Sequence, residues 1–218
     1  GEAQASYLTQ ALGLTVQNFL SAATGICVLF AFLRGFIRVH TDGLGSLWVD
    51  MIRALLYVLL PLSLVLSLCL VGGGVLQNLK PAQTVPLLEP VAVDAAGNVI
   101  ANAVVDRVTN TVTVSGVILE DAEMITEQFV PMGPAASQIA IKQLGTNGGG
   151  YTGVNSAHPL ENPNAFTNWL EMLSILLLPA ALCFAFGRNV KDRRQGYAIF
   201  CAMLLMLLVA LGCIAASE

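Results

Sequence analysis

Ten residues stand out for the chemistry they could do: Gly145-Thr146-Asn147-Gly148-Gly149-Gly150-Tyr151-Thr152-Gly153-Val154. Glycine and asparagine at this density let the backbone turn freely. The stretch lies between a short helical segment and a membrane-length apolar one, a place that suits an ion path lined by backbone carbonyls. Irregular backbone survives at membrane depth only where protein or a water-filled cavity satisfies it, and rings of carbonyls can replace an ion's hydration shell. An ordinary exposed turn uses the same residues. A phosphate-binding loop does not fit, because Tyr151-Thr152 stands where Gly-Lys-Ser/Thr is required. A second candidate is the pair His158 and Glu161, spaced i, i+3, which could ligate a metal or serve as the acid–base pair of a polytopic membrane enzyme. Pro159 and Pro163 break any helix there, so a structural role leading into the next apolar segment is the plainer reading, with Asn164 as its helix cap.

The elements that must position these residues are membrane helices. The chain of 218 residues is 56% hydrophobic and 11% charged, with mean hydropathy +0.73. A soluble domain would carry about 25% charged residues. Crossing a bilayer core takes about 20 apolar residues as helix, and four segments qualify: about Leu12 to Ile37, roughly Trp48 to Val75 with its apolar centre at Leu55–Val71, Ala165 to Phe186, and Tyr197 to about Ala215. Pro61 and Pro179 fall inside the second and third, where neighbouring helices can satisfy the freed carbonyls. The start, Gly1-Glu2-Ala3-Gln4, has neither the basic nor the apolar region of a signal peptide, and the chain reads as a portion of a longer polytopic one. Cys27, Cys69, Cys183, Cys201 and Cys213 all lie in apolar spans and are expected to be reduced.

Charge supplies an orientation. The loop between spans one and two carries Arg34, Arg38 and Arg53, and that between three and four carries Arg188, Lys191, Arg193 and Arg194. Seven of the ten Lys and Arg residues therefore lie on one side, expected to be cytoplasmic. The long segment between spans two and three holds only Lys80, Arg107 and Lys142, against Glu89, Asp94, Asp106, Glu120, Asp121, Glu123 and Glu127, and is expected to face outward together with the glycine loop. A net charge of −4 argues against nucleic acid as a partner, since phosphate binding needs a basic surface.

That outer segment has two parts. From about Gln77 to Val130 it reads as a small solvated insertion of short β-type runs. Val91–Asp94 and Asn98–Ile100 flank a turn, and Val108–Val114 alternates with period two. After Pro131-Met132-Gly133-Pro134, Ala135–Leu144 are helix formers too few to span. A short helix, then the glycine loop, then a full span is the order of a re-entrant pore loop. The C-terminal end of that helix carries about half a negative charge, which would stabilise a cation. Elsewhere, Glu171 lies early in span three, within reach of the headgroups, with a possible place at the outer vestibule. Asp50 and Arg53 suit a local i, i+3 ion pair, and Thr15, Gln17, Asn18, Ser21 and Thr24 suit either hydrogen bonding behind the loop or polar contacts between helices.

Several stretches carry a family resemblance: Gln143-Leu-Gly-Thr-Asn-Gly-Gly-Gly-Tyr151, Asn155-Ser-Ala-His-Pro-Leu-Glu-Asn-Pro163, Ala181-Leu-Cys-Phe-Ala-Phe-Gly187, Asp192-Arg-Arg-Gln-Gly196 and Gly13-Leu-Thr-Val-Gln-Asn-Phe-Leu-Ser-Ala-Ala23. Together they resemble the potassium-binding A subunit of the bacterial Kdp potassium-transporting ATPases. The resemblance covers nearly all the chain except roughly Val85–Glu127, which looks like an insertion.

The resemblance implies an all-α polytopic membrane protein built from helix–pore loop–helix repeats of the potassium-channel-like transporter superfamily, with a small outward-facing β-type insertion. It divides the chain into 1–76 (the end of the first repeat and the first helix of the second), 77–130 (the extracytoplasmic insertion), 131–154 (pore helix and filter loop), 155–187 (the span closing the second repeat), 188–196 (a cytoplasmic loop) and 197–218 (the span opening the third). Carried over, Thr146, Asn147, Gly148 and Gly149 would form one of four K⁺ filter strands, with Gly149 and Gly150 letting the backbone turn away. The implied function is K⁺ binding and translocation from outside, in a multi-pass protein of the bacterial plasma (inner) membrane. ATP would be hydrolysed by a separate P-type ATPase catalytic subunit, with small accessory subunits and membrane lipid as further partners. This chain would be non-catalytic and bind no nucleotide, as it has no phosphorylation or nucleotide motif. A passive or ion-coupled potassium transporter of the same superfamily is the alternative.

Overall fold

The computed structural model describes residues 5–38, 43–106, 109, 111–119, 121–153 and 155–217. Gly1–Gln4, Arg107, Val108, Asn110, Glu120 and Val154, named above, lie outside the described residues. The chain divides into two compact units, one of Gly1–Asn78 with Pro134–Glu218 and one of Leu79–Gly133.

Among the described residues, five helices make the first unit. Four are long and apolar enough to cross a membrane: α1 (Thr9–Ile37), α2 (Leu47–Gly72), α4 (Ala165–Asn189) and α5 (Arg193–Ser217). The chain is a polytopic membrane protein. The fifth, α3 (Ala135–Leu144), is only ten residues long. Within α2 the turns of Ala54–Leu59 are π-wound just before Pro61, a local widening of the kind that absorbs a missing proline donor. In α4, Asn164 caps the start: its side chain accepts from Thr167 N–H at 3.1 Å while the Thr167 hydroxyl accepts from Asn164 N–H at 3.2 Å. This is a reciprocal capping box. The Asn164 amide also donates to the Gly73 carbonyl at 2.7 Å, tying the start of α4 to the end of α2. Between α4 and α5 only Val190–Asp192 intervene, and the two helices touch through glycine: a Cβ on Gly196 would stand 2.7 Å from the Cys183 carbonyl.

The core of this unit forms around α3. Ala136, Ile139, Ala140 and Ile141 are fully buried against Ala23 of α1, Leu59, Leu66 and Leu70 of α2, and Leu178 of α4. Near the connection from α1 to α2, Asp50 pairs with Arg34 of α1. The expectation of a local Asp50–Arg53 pair is thus corrected: once α1 packs beside α2, the guanidinium across the gap supplies the partner. All five cysteines are free thiols.

The second unit holds two small sheets. Antiparallel β1 (Gln83–Val93) and β5 (Glu123–Val130) pair from Gln83↔Val130 to Val93↔Glu123, with a register shift between Pro86 and Val91 where proline removes ladder donors. β2 (Ala103–Asp106), β3 (Thr111–Val114) and β4 (Val117–Ile118) form the other. The turn after β1 is fixed by Asp94, whose Oδ1 accepts Ala96 N–H at 2.9 Å and Asn98 N–H at 2.8 Å. Those bonds, led by Asn98, hold its carboxyl below the usual range.

Candidate functional site

The site begins with the ends of α3. Its first amides lack intrahelical acceptors and find them in the segment that follows α2: Ala136 N–H donates to Leu76 O at 2.9 Å, and Ser137 N–H to the Gln77 side chain at 3.0 Å. Every residue of this helix except Ser137 is buried. Its last turn closes through Gly145 N–H to Ile141 O at 2.8 Å, Thr146 N–H to Gln143 O at 3.2 Å and Asn147 N–H to Lys142 O at 3.1 Å.

The chain then turns sharply. Thr146 (φ 53°), Gly148 (76°), Gly149 (70°) and Gly150 (154°) all have positive φ, a region that costs a Cβ-bearing residue about 1–2 kcal/mol. Thr146, Asn147 and Gly148 are exposed, Gly149 half-buried and Gly150 buried. A cavity of about 160 Å³ borders Gly145 and Thr146 on one side and Gly25 and Pro179 on the other. The Asn147 side chain donates to Ser21 of α1, so one member of the polar cluster in span one does bond to the loop. Tyr151 is buried, and burial, with Tyr7 next in effect, pushes its phenol up to about 12, so it stays neutral.

Behind the loop lies a buried polar network. Lys142 is 1% exposed. Its ammonium donates to Glu161 Oε2 at 3.1 Å and Ser156 Oγ at 2.5 Å. Glu161 Oε1 accepts Thr152 N–H at 2.5 Å and the Thr152 hydroxyl as well, and Oε2 also accepts from Ser156 at 3.2 Å. Four donors thus meet one carboxylate. Burial alone would raise its pKa, but the Lys142 charge and the Thr152 hydrogen bonds outweigh it and hold Glu161 below the ordinary value. Gln143 bridges onward, donating to Ser156 at 3.0 Å and to Glu171 Oε2 at 2.7 Å. Asn155 and Ser156 both take left-handed backbone (φ 50° and 65°), and Ser156 is held there as the hub of these bonds.

Two sequence readings change as a result. His158 and Glu161 do not act together: His158 Nδ1 accepts the Leu160 amide at 3.2 Å, while the Glu161 carboxylate turns to Lys142 and Thr152. Glu171 is 2% exposed and faces α3 through Gln143, in place of the headgroup or vestibule position expected from its depth in the span. Sequence reasoning missed Lys142 altogether. The signal was present, because Lys142 stands between Ile141 and Leu144 on a short helix flanked by apolar spans, and a lysine is almost never buried unpaired.

Comparison with known proteins bears on this arrangement. The family described as KdpA, Potassium-transporting ATPase A subunit, matches residues 1–218. The potassium-transporting ATPase potassium-binding subunit of Clostridium perfringens is 58% identical over 218 residues, covering 100% of this chain and 33% of that protein. Its namesake in Herpetosiphon aurantiacus is 53% identical over 208 residues (95% and 31%), and that of Methylococcus capsulatus 51% over 211 (94% and 34%). The chain thus spans about a third of the length of these relatives. The whole of the described sequence, spans and glycine loop included, falls within one match, and the chain belongs to the potassium-transporting ATPase A-subunit family.

Proposed function

We propose that this chain is part of the K⁺-binding and translocating subunit of an ATP-driven uptake complex in the bacterial inner membrane. In this reading α2, α3 with its loop, and α4 form one helix–pore loop–helix repeat. Helix α1 closes the preceding repeat, α5 opens the next, and Leu79–Gly133 is an outward-facing insertion. The backbone of Thr146, Asn147, Gly148 and Gly149 is one strand of a four-strand filter, its carbonyl oxygens standing in for water around K⁺. ATP is hydrolysed by a separate P-type subunit, with small accessory subunits completing the complex.

One observation carries this reading. A buried ten-residue helix, too short to span, ends at a loop whose left-handed backbone leaves Thr146–Gly148 exposed. A helix end of this polarity favours a cation, and Lys142 in its last turn does not oppose one because Glu161 neutralises it. The names of the relatives, which specify potassium binding, support the choice of ion.

The test is Gly148→Ser in the complete complex. Apparent K⁺ affinity is expected to fall and Rb⁺ or Na⁺ to compete better, because selectivity rests on the number and field of the carbonyl ligands. Wild-type values for both would rule out the filter assignment.

A further inference from the structure

We propose that the buried Lys142–Glu161 ion pair is a positioning device for the filter, setting its preference for K⁺ over Rb⁺. The inference rests on the filter reading above. Lys142 acts through both its main chain and its side chain. Its carbonyl holds the Asn147 amide at 3.1 Å and its ammonium holds Glu161 Oε2 at 3.1 Å. The other oxygen of Glu161 holds the Thr152 amide at 2.5 Å. Asn147 and Thr152 are therefore fastened into one hydrogen-bonded circuit that brackets Gly148–Tyr151, and any change in the pair alters the span between those two amides.

The circuit leaves no slack on its inner side. A Cβ on Gly150 would stand 2.7 Å from Glu161 Oε2 and 2.8 Å from Lys142 Nζ, so the backbone already rests against the pair. Ser156 and Gln143 brace it from behind, and Gln143 carries the bracing to Glu171 on α4. A buried ion pair adds little net stability over a well-packed apolar pair. What it does contribute is a fixed distance and direction between charged hydrogen-bonding groups. A filter separating ions of similar size needs its ligands held to about half an ångström, and this pair, within the core rather than on the surface, meets that need.

The experiment uses the full-length complex in proteoliposomes, with apparent K⁺ affinity and the K⁺/Rb⁺ transport ratio as readouts. Glu161→Gln is expected to weaken K⁺ affinity about tenfold and lower the K⁺/Rb⁺ ratio about fivefold, with Glu161→Asp intermediate. An apolar double variant, Lys142→Met with Glu161→Leu, separates packing from positioning. It removes the unpaired charge that either single change would leave, and is expected to assemble at somewhat lower thermal stability, since Thr152 and Ser156 lose their acceptor, and to show the same loss of discrimination. A double variant with wild-type affinity and ratio would overturn the proposal. Gly148→Ser measured alongside separates the two levels: a response there with none in either pair variant sinks the positioning role alone, whereas no response at Gly148 sinks the filter reading on which it stands.

Discussion

Gly150 lies directly against Glu161: a β-carbon at position 150 would approach its Oε2 to 2.7 Å. At Gly148, by contrast, such a carbon would meet nothing within 4 Å, and only its φ of 76° resists substitution. The two glycines should therefore respond differently to alanine. Gly148→Ala should cost about 1–2 kcal/mol, the penalty of the left-handed region. Gly150→Ala carries a backbone penalty of its own and adds about 1–3 kcal/mol of overpacking against a buried ion pair. Thermal unfolding of the purified complex checks this, and equal losses at the two positions would contradict it.

A second prediction concerns acid. Glu161 is held below the ordinary carboxylate value, so its contribution to stability is present above the unfolded pKa, about 4.3, and is lost only as pH falls through the depressed folded value. Lys142 and Glu171 are the other titratable groups of the network. The thermal stability advantage of wild type over Glu161→Gln should stay flat from pH 8 to about 5 and shrink only below about pH 4. An advantage that fades by pH 6 would show that the carboxylate is not held by its partners.

At the other end of the spans, Arg34 and Asp50 are partners across two helices. Arg34→Gln and Asp50→Asn should couple in a double-mutant cycle by about 1 kcal/mol, read from thermal inactivation, while Arg53→Gln should couple to Asp50→Asn by less than about 0.5 kcal/mol. The reverse ordering would favour the local pair.

Orientation is open to labelling. With the native cysteines replaced, a cysteine at Asn189 should react with an impermeant maleimide only from the cytoplasm, and one at Gly97 only from outside. Labelling of both from one side would invert the reading and remove the outer approach to the loop.

The membrane helices were legible because about 20 predominantly apolar residues in a row leave few alternatives. Asn164 was legible because a cap is a local matter settled within four residues. The network behind the loop was not. Spacing along the chain suggested His158 with Glu161, yet spacing places side chains together only on a continuous helix, and the prolines at 159 and 163 remove it. Lys142 and Glu161 meet because the chain doubles back over 19 residues, a tertiary fact. Glu171 was judged by its depth along the span, whereas its environment depends on which face of α4 meets α3. For Asp50 the nearer arginine in sequence was the farther one in space. Within the loop, the glycines marked where the backbone would turn, but nothing in the side chain of Thr146 announced that the closing bonds of α3 would force it to φ 53°.

The distance in sequence between Lys142 and its partners has a consequence for biosynthesis. The lysine leaves the ribosome 19 residues ahead of Glu161, and Gln143 leaves 28 ahead of Glu171. Chains are made from the N-terminus at about 5–20 residues per second, so for a second or more the short helix exists with a bare ammonium and no counter-charge. It cannot settle among α1 and α2 in that interval, because an unpaired charge is too costly to desolvate. Docking of α3 must wait until Glu161, just ahead of α4, has been made. The loop and α4 then enter as a single late event, and a nascent chain halted before position 161 would still present Lys142 to water.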